Sequence, residues 1–108
     1  MALYYNQDLL SAAGVPKPPT TWDQFQADVE QLTRVSRLGI IEQSAAALGT
    51  AANVNRASDI LQALMMQSGL SVYDTKTKQA DMASDVGSRA LTFYTDFANK
   101  SKKVFTWD

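Results

Sequence analysis

The sequence predicts a predominantly helical α/β unit, on three observations: amphipathic helical spacing in three long segments, short apolar runs between them, and turn residues closing nearly every segment. Of its 108 residues, 45% are hydrophobic and 19% charged, the composition of a folded chain rather than a disordered or membrane-spanning one. A chain of this length buries about two thirds of its unfolded surface, which allows one core with a thin stability margin.

The first segment reads ALYYNQDLLSAAGVPKPPTTW. Leu3, Tyr4 and Tyr5 favour an extended strand, with the two tyrosines on opposite faces. Asn6 suits the cap of a helix from Gln7 to Ala13, and Gly14 supplies its left-handed stop with Pro16 just beyond. Pro16, Pro18 and Pro19 then hold the chain extended, because each fixes φ and keeps its predecessor out of the α region. Thr21 caps the next helix, with Gln24 at the reciprocal position of a capping box.

From Thr21 to about Arg34, Trp22, Phe25, Val29 and Leu32 recur at helical spacing, and Asp23, Gln26, Asp28, Glu30 and Gln31 take the other faces. Leu38 to Ile41 is too short to assign, and Ser44 to Leu48 reads weakly as helix by its alanines before Gly49 and Thr50 close it. A third helix starts near Asn55, with Ala57, Ile60, Leu61, Leu64 and Met65 in one stripe and Gly69 ending it. Leu70 to Met82 suits a hairpin or loose excursion. Ser84 or Asp85 can cap a last helix carrying Val86, Ala90, Phe93 and Phe97 on one side, and Asn99 to Lys103 forms a basic end that favours its dipole. By the same periodicity Trp22, Phe25, Phe93 and Phe97 belong to the core, as do Met65 and Met66.

The opening string, then ALGTAANVNRASDILQALMMQSG, then ALTFYTDFANKSKKVFTW, occur in an order that resembles the extracellular solute-binding proteins of bacterial ABC importers, particularly the sugar-binding family that includes maltose-binding protein. The resemblance implies part of a lobe of a type II periplasmic-binding-protein-like fold, with residues 1–108 one incomplete unit of the C-terminal lobe. It implies an internal piece of a two-lobed receptor, with Met1 a start codon set before family sequence and Trp107 packing against residues outside the chain. It places a strand and variable loop near Leu38 to Ile41, and makes Ser44 to Leu48 a buried strand running toward the ligand cleft.

Catalysis finds little support in these residues. Histidine and cysteine are both absent, so the commonest general base and the thiolate nucleophile are missing, as are disulfides and zinc–thiolate sites. Asp23, Asp28 and Glu30 lie on the polar face of one helix and read as solvated charge. No phosphate-binding, dinucleotide or calcium-loop pattern occurs, and no cofactor is expected. A net charge of −1 with a pI near 5.2 lacks the basic stripe that nucleic acid requires. The first residues read as a strand, so no export signal and no membrane insertion are expected of this chain, while the resemblance implies a periplasmic or cell-surface parent.

The candidate site is Thr50, Asn53, Asn55 and Arg56. Sugar hydroxyls both donate and accept hydrogen bonds, and a carboxamide offers both functions while guanidinium offers a planar fork of donors. The resemblance places this loop and the first helical turn at the cleft, with an ABC permease as the parent's partner. The plainer assignment makes Asn53 or Asn55 the helix cap and leaves Arg56 exposed or paired with Asp59. Two functions follow: capture of a sugar or oligosaccharide for an importer, weak or absent in the piece alone, or a small self-associating helical module stabilised through apolar faces that a missing lobe would cover.

Overall fold

In the computed structural model, which describes residues 2–108, the elements run α1 (Gln7–Ala12), α2 (Trp22–Leu32), β1 (Arg34–Val35), β2 (Ile41–Gln43), α3 (Ala57–Gln67), β3 (Tyr73–Asp74), β4 (Gln79–Ala80) and α4 (Asp85–Asp96). The strands form two antiparallel hairpins, β1 with β2 and β3 with β4, so helix and sheet are mixed and no parallel pair occurs among the described residues.

Capping follows the sequence closely at three helices. The Asn6 side chain accepts from the amides of Asp8 and Leu9 at 3.0 and 3.1 Å, and Gly14 leaves α1 at φ +74°. Thr21 accepts from the Gln24 amide at 3.2 Å. The reciprocal contact is displaced by one residue: Gln24 Oε1 accepts from the amide and hydroxyl of Thr20, not from Thr21. Ser84, the first of the two expected caps, accepts from the Gly87 amide and opens α4.

The expected N-terminal strand is absent. Residues 2–6 have no ladder partner among the described residues, and an apolar run without a paired edge has nothing to hold it as sheet. Tyr4 and Tyr5 consequently do not alternate between inside and outside; both are exposed, at 91% and 53%. The unassigned Leu38–Ile41 region resolves as the β1–β2 hairpin, turned at Gly39 (φ +78°) and held by the Ser36 amide donating to the Ile40 carbonyl at 2.8 Å.

Helix α3 packs against α4, and the core gathers Val29, Leu48, Leu64, Met65, Leu70, Ala90, Tyr94 and Phe97. Four rings join α2 to α4 in a closed circuit of edge-to-face contacts: Trp22–Phe25 at 5.3 Å, Phe25–Phe97 at 5.7 Å, Phe97–Phe93 at 5.2 Å and Phe93–Trp22 at 5.5 Å. Each such pair contributes about 0.5–1.5 kcal/mol beyond its buried area. The aromatic stripe read from the sequence is therefore the α2–α4 interface, although Trp22 stays partly exposed at its rim. Met66 departs from the core assignment and is exposed, because it stands one position, roughly 100°, around the helix from the buried Met65.

Residues 44–48 are not a strand either. They run as bends and irregular chain, and the Ala45 amide is satisfied by a side chain, donating to Thr106 Oγ1 at 2.8 Å. The same hydroxyl meets Thr33 Oγ1 at 2.8 Å and Ser44 Oγ at 3.2 Å, while the Thr106 amide donates to the Phe97 carbonyl. Thr106 is fully buried. Beside it Trp107 is half-buried, tilted against Tyr94 at 5.9 Å, with its indole Nε1 unpaired among the described residues.

Candidate functional site

Gly49 enters the candidate loop from a buried position, held by one phenol. Tyr94 Oη accepts from the Gly49 amide at 3.1 Å and donates to the Gly49 carbonyl at 2.7 Å. Tyr94 projects from α4 into the core and is 6% exposed, so both bonds form out of water, where leaving either partner unmade is costly.

Beyond Gly49 the chain folds on itself in consecutive turns. The amides of Asn53 and Val54 both donate to the Thr50 carbonyl, at 3.2 and 2.9 Å, and the Ala52 amide donates to Thr50 Oγ1 at 3.2 Å. The Asn53 carboxamide bends back, its Oδ1 accepting from the Thr50 amide at 2.7 Å. It lies against the Gly49 α-carbon: a β-carbon there would collide with Asn53 Oδ1. Any side chain at Gly49 would therefore push the Asn53 carboxamide aside; the constraint is this close approach and not a positive φ.

The four predicted residues thus share one exposed turn leading into α3, each in a different state. Thr50 and the Asn53 oxygen are engaged within the turn, leaving Asn53 Nδ2 as a donor. The Asn55 side chain is exposed and makes no hydrogen bond among the described residues. Arg56 pairs through Nε with Asp59, as the plainer sequence assignment has it; with its side chain 76% exposed, the pair is worth under about 1 kcal/mol.

Neither asparagine caps α3, which corrects the capping expectation. Asn53 spends its oxygen three residues earlier, and the N-cap position falls on Arg56, which adopts the left-handed conformation at φ +60° and offers no side-chain cap. A non-glycine residue held there is uncommon and is sustained by its surroundings.

Tyr94 was invisible as a site residue in the sequence. Its position, four after Ala90 and three before Phe97, places it on the buried helix face, but only the fold reveals that its hydroxyl meets Gly49. A hollow of about 320 Å³ between α2, α3 and α4, lined by Trp22, Gln67, Arg89 and Phe93, was likewise unforeseen; there Trp22 Nε1 donates to Gln67 Oε1 at 2.8 Å. Among the described residues no group of acids could hold a metal ion, and no helix is long and apolar enough to cross a membrane.

The exposed turn ahead of α3 presents side-chain hydrogen-bonding groups at the surface. The bacterial extracellular solute-binding protein family matches residues 1–108, and the chain belongs to that family. Proteins described as binding proteins from Brucella abortus (strain 2308) and Brucella suis biovar 1 (strain 1330) are similar to it, each 45% identical over 31 residues. That similarity covers 29% of this chain and only 8% of either relative. No solved structure matches the chain.

Proposed function

We propose that the chain is part of one lobe of the substrate-capture component of a bacterial ABC importer, and that the Thr50–Arg56 turn contacts a sugar or oligosaccharide. The observation that carries the reading is this turn: an exposed cluster of amide and guanidinium donors whose backbone is held from the core by Tyr94. Family membership across the whole chain supports solute binding, and the donor and acceptor chemistry favours a polyhydroxylated ligand. In the parent, ligand would bias two lobes toward a closed form that a membrane permease recognises.

Half a cleft encloses only part of a ligand, so affinity in this chain is expected to be weak, about millimolar. Amide NMR spectra of the labelled chain, recorded with glucose, maltose and cellobiose, test the reading. Shifts confined to Thr50–Arg56, and reduced in Asn53→Ala and Asn55→Ala, are the expected outcome. Spectra that ignore all three sugars would remove the sugar assignment.

A second reading, self-association, draws on one observation. The chain exposes 7759 Å², whereas a compact monomer of 11.8 kDa exposes about 5,900 Å². The excess, about 1,850 Å², is more than the roughly 800 Å² that each partner buries in a standard protein–protein interface.

A further inference from the structure

We infer that Tyr94 is a positioning residue for the Thr50–Arg56 turn, acting through Gly49 and Asn53; its relevance to ligand rests on the binding role proposed above. The peptide units around Gly49 are gripped from two sides. From the core, one phenol hydroxyl takes both the amide and the carbonyl of Gly49. From the loop, the Asn53 carboxamide closes over the Gly49 α-carbon and accepts from the next amide, Thr50, at 2.7 Å. The orientation of the Asn53 amide is thereby set by a residue 41 positions away that lies in the core and touches no solvent ligand.

This arrangement also limits the chemistry at Asn53. Its oxygen is committed to Thr50, so toward ligand it presents only Nδ2 and calls for an acceptor atom there. A local stabilising residue and a positioning residue differ in what their loss disturbs. Tyr94→Phe keeps the ring and its contact with Trp107 but removes the hydroxyl, whereas Gly49→Ala displaces the Asn53 amide and leaves Tyr94 intact.

Amide hydrogen exchange and side-chain NH₂ resonances, measured on the full chain, separate the two. In Tyr94→Phe, exchange at Gly49 and Thr50 is expected to rise about tenfold, the Asn53 NH₂ signals to shift, and amides of Leu64 and Ala90 to stay protected. Gly49→Ala should shift the same Asn53 signals with Tyr94 still in place. A uniform rise in exchange throughout the core, or Asn53 signals unmoved in Tyr94→Phe, would overturn the assignment. Adding glucose, maltose and cellobiose keeps this result distinct from the binding proposal. A wild-type chain indifferent to all three fails that proposal alone, since the exchange pattern decides the clamp without ligand.

Discussion

The Thr106 hydroxyl has one hydrogen to donate and two lone pairs to accept with, and its surroundings use all three. It accepts from the Ala45 amide and the Thr33 hydroxyl and donates to Ser44 Oγ, whose own hydrogen goes to the Ala46 carbonyl. Burial is complete, so water cannot substitute for a lost partner. Replacing Thr106 by valine keeps the shape and strands the Ala45 amide. The expected cost is about 1–3 kcal/mol, read as a lower urea midpoint with an unchanged slope.

At the scale of elements, the β3–β4 hairpin carries the clearest electrostatic device. Asp74 Oδ1 accepts from the amides of Lys76, at 2.7 Å, and Thr77, at 3.3 Å, and these bonds hold its carboxyl below the usual aspartate range. A depressed folded pKa means that the ionised form stabilises the hairpin at every pH above the unfolded value. That contribution is lost as pH falls through the folded one. Lys76 and Thr77 amide shifts should therefore stay constant through neutral pH and move only under acid conditions below the ordinary aspartate range. In Asp74→Asn that transition should vanish.

The same hairpin illustrates which elements could be read from sequence. Punctuation was legible: Asn6, Thr21 and Ser84 cap as their types suggest, and Gly14 and Gly69 end helices at positive φ. Amphipathic spacing located α2, α3 and α4, and the aromatic stripe proved to be the packing of α2 on α4. The failures lie where pairing is non-local. Tyr4, Tyr5 and residues 44–48 look extended in isolation or by resemblance, but strand formation depends on a neighbour, and here a threonine hydroxyl and a phenol take the place of a ladder. Asn53 stands out in the sequence for its chemistry, yet its commitment to Thr50 depends on the absence of a side chain at Gly49.

The whole molecule is drawn out, with principal extents of 49 × 30 × 23 Å and a radius of gyration of 15.4 Å, against about 13 Å for a compact domain of its length. Leu3, Tyr4 and Tyr5 at one end and Val35, Leu38 and Ile40 on the first hairpin contribute exposed apolar surface. Covering such surface gains about 25 cal/mol per Å² of apolar area. The chain alone is accordingly expected to associate, with a weight-average mass in sedimentation equilibrium that rises with concentration above 11.8 kDa. A mass fixed at the monomer value would mean that the exposed surface is tolerated in water.

The knot at Thr106 also sets an order of events during synthesis. Its partners Thr33, Ser44 and Ala45 precede it by 73, 62 and 61 positions, so a ribosome has already released both halves of the first hairpin long before their fastening residue is made. Until then the hairpin exit must wait with an open amide, and closing so long a loop costs chain entropy before any contact repays it. The nascent chain therefore completes this core only after α4 and the turns beyond it have emerged.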